Sequence, residues 1–132
     1  MAFKFEKLQV WHNALELSDQ INTLAKQFPK FELFNLCHQI RKAADSVVLN
    51  IAEGSIGQSN SEQGRFLNFS IRSTAEVISC LYLAKKKKYI NDAEFKLFYR
   101  EYEVLIKMIT NFRNKIIPTR NLKSQKSIDH ET

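Results

Sequence analysis

The run QIRKAADSVVLNIAEGS, from Gln39 to Ser55, puts Gln39, Ser46, Asn50 and Glu53 where a plain helical core would carry aliphatic residues. A carboxylate, an amide and a hydroxyl on one face could move protons, hold a polar ligand, or join helices. On a helical wheel Gln39, Ala43, Ser46, Asn50 and Glu53 recur in steps of four and three. They form a stripe of small and polar groups about 100° from the apolar stripe Leu36, Ile40, Ala44, Val47 and Ile51. Small residues let backbones approach, and the polar groups can then satisfy one another or the orphan groups of helix ends. Antiparallel pairing with the following helix brings Arg41 to Glu76 and Glu53 to Arg65, charge partners for a half-buried seam. The set Gln39, Arg41, Ser46, Asn50, Glu53 and Glu76 contains no strong nucleophile and no histidine base. It reads as a structural polar seam or a subunit contact, and no catalytic residue is expected.

Other routes to chemistry are equally thin. His12, His38 and His130 fall on different helices or in the tail, and no Glu-x-x-His pair of the kind that builds di-iron bundles occurs. Cys37 and Cys80 follow no CxxC spacing and read as small hydrophobes. No glycine-rich phosphate loop is present. No metal, cofactor or small-molecule substrate is therefore expected. Ten Phe and four Tyr fall mainly on or near core stripes, which reads as packing rather than a base-stacking platform.

The basic residues form a second candidate set. The net charge is +6 and the pI about 9.4, a balance that favours polyanionic partners through counterion release. Arg65, Arg72 and Lys86 are separated by multiples of seven and share one helical face. Lys85, Lys86, Lys87 and Lys88 end the same helix, where the macrodipole favours cations by about 0.3–1 kcal/mol each. Lys96, Arg100 and Lys107 line an outward face of the next helix, with Glu101 and Glu103 close by. These nine residues are the candidate nucleic-acid contacts, set against the plainer reading of a solvated charged face.

The elements that must position these groups are helices. Val10, Ala14, Leu17, Ile21, Leu24 and Phe28 predict a first helix over about 5–28, stopped by Pro29. The second is predicted over 33–53, with Gly54 as a left-handed stop. Ser59 and Glu62 match a capping box opening a third helix that continues to about 87. Asn91 and Glu94 open a fourth, whose stripe Phe95, Phe98, Tyr102, Leu105, Ile109, Phe112 and Ile116 runs to Pro118. Four amphipathic helices with short loops predict an all-α, antiparallel up-down-up-down four-helix bundle over residues 1–118. The polar, aperiodic residues 119–132 read as a flexible tail. No apolar run approaches the ~18–20 residues that span a bilayer, and MAFKFEKLQVW does not resemble a signal peptide, so a soluble cytoplasmic protein is expected.

LQVWHNALEL, FELFNLCHQIRKAADSVVLNIAEGS and RFLNFSIRSTAEV together resemble the bacterial 23S-rRNA intervening-sequence proteins, over about residues 3–117. The sequence departs from the family pattern twice. Val47-Val48-Leu49 stands where Ile-Pro-x is common, and Ser70-Ile71-Arg72 where Ala-x-Gly is usual. The resemblance implies a bundle that assembles into a ring, commonly a homopentamer, encoded within intervening sequences of some bacterial 23S rRNA genes. A similar bundle occurs in accessory proteins of diversity-generating retroelements, where a basic pentameric barrel contacts nucleic acid and a reverse transcriptase. The combined expectation is a non-enzymatic homo-oligomer that binds RNA or a ribonucleoprotein through its basic surface. The alternative is a protein-interaction scaffold that makes no direct contact with nucleic acid.

Overall fold

Pro29 and the caps ahead of the third and fourth helices set the element order in the computed structural model, which describes residues 2–117. Four helices follow one another, α1 (Gln9–Ala25), α2 (Leu36–Ser55), α3 (Asn60–Lys86) and α4 (Asp92–Ile116). Short 3-10 turns, Lys4–Lys7 and Lys30–Glu32, precede α1 and α2. The expectations attached to Pro118 and to residues 119–132 lie outside the described residues.

The first helix is shorter than the apolar spacing predicts. Leu8 is extended, which separates the opening 3-10 turn from α1, and the bonds of Gln27 and Phe28 to Leu24 and Ala25 loosen the far end. After Pro29 the chain winds one more 3-10 turn, so α2 begins at Leu36 rather than 33. Asn35 makes no side-chain cap there. Instead the Glu32 carboxylate accepts the Leu36 N–H at 3.4 Å and the Tyr89 hydroxyl at 2.7 Å, tying the start of α2 to the residues after α3.

Gly54 does not stop α2. The helix continues to Ser55, and no glycine among the described residues has a positive φ. A Cβ at Gly54 would lie 2.9 Å from the Phe66 Cβ and 3.2 Å from the Gln63 carbonyl oxygen. The missing side chain is what lets α2 and α3 meet closely at their joined ends. Ser59 caps α3 as its spacing predicts, accepting the Glu62 N–H at 3.1 Å, but the Glu62 carboxylate turns to the Gln58 N–H instead of closing the box. Asn91 and Glu94 do close a reciprocal box on α4.

The α3 terminus is a Schellman motif. Tyr89 N–H reaches the Ala84 carbonyl and Lys88 N–H the Lys85 carbonyl, with Lys88 left-handed at φ 65°. A lysine thus holds a position usually given to glycine, at a cost of about 1 kcal/mol.

Each helix runs antiparallel to its neighbour. Ser18 donates to Asp45 between α1 and α2, and Ser46 accepts from Ser73 between α2 and α3. Asn68 accepts from Arg113 between α3 and α4, while Gln27, just past the end of α1, donates to Glu94 in the first turn of α4. This is the up-down-up-down bundle. Ile21, Ile40, Ile51, Leu67, Leu81, Tyr102, Leu105 and Ile109 fill its centre. The α2–α3 pair packs most extensively and the α1–α4 pair least.

Candidate nucleic-acid interface

The last turn of α3 divides the lysine run. Successive helical residues point about 100° apart, so neighbours in sequence leave in different directions. Lys85 turns toward α4, meeting Asp92 at 3.0 Å and lying 4.5 Å over the Phe95 ring. Lys87 turns the opposite way, to Glu32 at 3.8 Å. Lys86 and Lys88 remain exposed. Lys96 meets the same Asp92 at 3.6 Å, and its two lysines hold that carboxyl below its ordinary range. Lys85 and Lys87 therefore join parts of the bundle, Lys96 pairs within α4, and phosphate would have to compete with a carboxylate for each.

Arg65, Arg72, Lys86, Lys88, Arg100 and Lys107 are exposed and make no ion pair among the described residues. Arg65 and Arg72 lie on the solvent side of α3, and Arg100 and Lys107 on that of α4. The guanidinium of Arg65 sits 5.5 and 5.7 Å from the Phe66 and Phe69 ring centres, which steadies the charge without neutralising it.

The polar seam forms with different partners from those the spacing suggests. Gln39, not Arg41, reaches Glu76, at 3.5 Å. Glu53 makes no ion pair with Arg65. The reason lies in the wheel: Arg41 is about 200° from Gln39 and leaves on the outer, α1-facing side of α2. Asn50 donates from Nδ2 to the Ser46 carbonyl at 2.8 Å and to the Ser46 hydroxyl at 3.0 Å. Ser73 donates to the same hydroxyl at 3.0 Å. The α3 members Ser70, Ser73 and Thr74 are absent from the sequence-based set. Ser70 donates to the Val47 carbonyl at 2.9 Å, and Thr74 back to Ser70. The Val47–Leu49 and Ser70–Arg72 segments thus touch each other across the α2–α3 contact. Ser46, Asn50, Ser70, Ser73 and Thr74 bond to one another or to nearby carbonyls along the α2–α3 contact, while Arg41 and Glu53 stand exposed.

Sequence reading also missed a basic outer face on α2. His38, Arg41 and Lys42 are exposed together along its first half. His38 and Lys42 border a groove of about 700 Å³ between α2 and α3, which also takes in Phe34 and Leu83. Arg41 borders a separate depression with Lys26 and Lys30. The adjacency of Arg41 and Lys42 was the available signal, obscured by assigning Arg41 to the seam.

Among the described residues no cluster of three or more His, Cys, Asp and Glu could hold a metal ion. Burial pushes the Cys80 thiol up to about 11, leaving it protonated and unreactive at neutral pH. Among the same residues no helix is long and apolar enough to cross a membrane.

A solved structure from Bacteroides thetaiotaomicron, described as a protein of unknown function from the S23 ribosomal protein family, shares this fold. The TM-score is 0.74 at 22% identity, over 79% of this chain and 97% of that one. No curated protein matches the sequence. The profile of the 23S rRNA-intervening sequence protein family matches residues 6–111. That span holds all of α1, α2 and α3 and most of α4, and the chain belongs to the 23S rRNA-intervening sequence protein family.

Proposed function

We propose that the protein is a non-enzymatic, homo-oligomeric bundle that associates with RNA or a ribonucleoprotein through its basic surface. The observation that carries this reading is the set of exposed cations without carboxylate partners, Arg65, Arg72, Lys86, Lys88, Arg100 and Lys107, on a member of an rRNA-linked family. Such groups grip phosphate and position a polyanion without reading its sequence. Lys85 and Lys87 serve the bundle first, and Lys96 is paired within α4. Filter binding against structured rRNA across a salt series tests the proposal. Affinity should fall steeply as salt rises, and R72E/K86E should lower it at every salt concentration. Absent binding at low salt, or affinity indifferent to salt, would remove the reading.

Self-association belongs to the same proposal, with a ring, commonly pentameric in related proteins, as the expected form. Its support is a set of apolar side chains left in solvent outside the core. They include Leu49 on the outer side of α2, Ile56 just past its end, and Leu97 and Val104 on α4, beside the sparse α1–α4 contact. Scattered exposed leucines are ordinary, but pairs on one helical face are what assembly would cover. Light scattering that finds a monomer at micromolar concentration would overturn this part.

A further inference from the structure

We infer that the turn before α2, with the first half of α2, is a contact surface for single-stranded nucleic acid. In it Phe31 and Phe34 stack on unpaired bases, while Lys30, Arg41 and Lys42 hold the phosphates. The inference rests on the RNA-associating reading above and narrows it to a strand form and a place.

The rings are the first observation. Phe34 is 85% exposed and Phe31 72%, the two most exposed large apolar side chains among the described residues. Both sit on the tight turn between Pro29 and α2, a segment pinned from below by the bonds of Glu32. Phe31 makes one T-shaped contact with Tyr89, with centroids 6.5 Å apart, and the rest of the ring stands in solvent. The platform is thus held in place by the Glu32 bonds beneath it while both rings stay exposed.

Charge is the second observation. The groove beside Phe34 also presents His38 and Lys42, and the neighbouring depression along α2 adds Arg41. Arg41 leads on to Lys26 and Lys30, so cations flank the rings along a continuous path. Of the carboxylates on that path Glu32 is paired with Lys87, while Glu76 and Asp45 accept from Gln39 and Ser18 and keep their charge, outnumbered by Lys26, Lys30, Arg41 and Lys42.

A chain of phosphates with exposed π faces complements both features at once. A duplex offers the phosphates but keeps its bases stacked inward. An apolar protein partner would cover the rings and strip water from Arg41 and Lys42 without supplying counter-charge. Stacking platforms between cations are the usual means of holding single strands without sequence preference.

The test compares a fluorescein-labelled oligouridylate of roughly twenty nucleotides, enough to cover more than one site, with a hairpin duplex of equal length. The wild type should prefer the single strand. F31A/F34A changes only exposed rings and should weaken single-strand binding about tenfold or more, with hairpin binding held within about twofold. R41E/K42E should weaken both. A 5-iodouridine strand should crosslink to Phe31 or Phe34, read by mass spectrometry of the adduct. Single-strand affinity unchanged in F31A/F34A overturns this surface while leaving RNA association standing. Failure of the wild type to bind either RNA overturns both readings. Should F31A/F34A change both the assembly mass and the affinity, a crosslink to either ring upholds the inference. Its absence assigns the patch to a second copy of the chain and overturns it.

Discussion

Replacing Gly54 with alanine tests the close approach of α2 and α3 directly. Inside a helix, alanine is favoured over glycine by about 0.8–1 kcal/mol, so propensity alone predicts stabilisation. Against this, the new Cβ would meet the Phe66 Cβ at 2.9 Å and the Gln63 carbonyl oxygen at 3.2 Å, both at or next to the backbone. Neither atom can swing away as the tip of a long side chain could, so the helices must part. Overpacking of this kind costs about 1–3 kcal/mol, leaving Gly54→Ala destabilised by roughly 1 kcal/mol net. Gly64→Ala supplies the control in the neighbouring helix. Its Cβ would meet only the Ile117 side chain, at 3.3 and 3.4 Å, and should keep much of the propensity gain. The two substitutions should therefore differ by about 2 kcal/mol, or about 8 °C in Tm for a domain of this size. Thermal and urea unfolding followed by circular dichroism, at one fixed protein concentration, would measure the gap. Gly54→Asn adds a sharper arm, because asparagine tolerates a left-handed helix stop but is bulkier than alanine. If Gly54→Ala equals or exceeds the wild type, or Gly54→Asn is better tolerated than Gly54→Ala, the close-approach argument fails.

Three further outcomes can be checked by the same unfolding measurements. Lys88→Gly should stabilise the protein by about 0.5–1 kcal/mol, because φ 65° costs a lysine and not a glycine; a loss of stability would deny that the Schellman turn is strained. Tyr102 is fully buried with no partner for its hydroxyl, and burial drives its ionisation far above the ordinary tyrosine range. Tyr102→Phe should accordingly raise stability by about 1 kcal/mol, whereas a clear loss would show that the hydroxyl is bonded in solution. The Glu32 carboxylate is held below its ordinary 4.5, chiefly by the Tyr89 hydroxyl, then by the Leu36 N–H and Lys87. A depressed folded value means that its stabilisation is complete above pH 4.5 and is lost as pH falls through the lower folded value. Glu32→Gln should flatten the acid limb of stability below that pH, and an unchanged limb would locate the acid sensitivity elsewhere.

The helices were legible because their signals are local and redundant. The α4 stripe, its reciprocal Asn91–Glu94 box and the Ser59 cap each depend on a few residues, and all three stand as read. Gly54 was misread because a glycine near a helix end fits two physical needs, a left-handed stop and a close approach. Only the neighbour, Phe66 from another helix, decides between them. For Arg41 the complementary charge on the facing helix competes with its angle on the wheel, and the angle decides, turning it toward Lys26 and Lys30. The seam's α3 half was missed since Ser70, Ser73 and Thr74 lie among apolar residues, where small hydroxyls look like ordinary packing. Their partners, the Val47 carbonyl and the Ser46 hydroxyl, cannot be recognised without the register of the two helices.

That register also explains why composition is a poor guide to the interface. Lys85 to Lys88 look like one block of charge, yet each of the four meets a different fate. One lies on Phe95 beside Asp92, one points to solvent, one reaches Glu32, and one bends the chain out of the helix. Ion pairing has removed half of the run from the free cations, and it did so at the end of the bundle where α2, α3 and α4 must be joined. On α2 the position is reversed. His38, Arg41 and Lys42 form no run worth remarking in the sequence, but the helix turns all three outward beside two exposed rings. Reversing Lys85 and Lys87 should therefore harm folding more than RNA retention, whereas reversing Arg41 and Lys42 should do the opposite. Stability and salt-dependent binding measured on both pairs would separate the two roles, and equal effects on both properties would show that charge acts here only as a total.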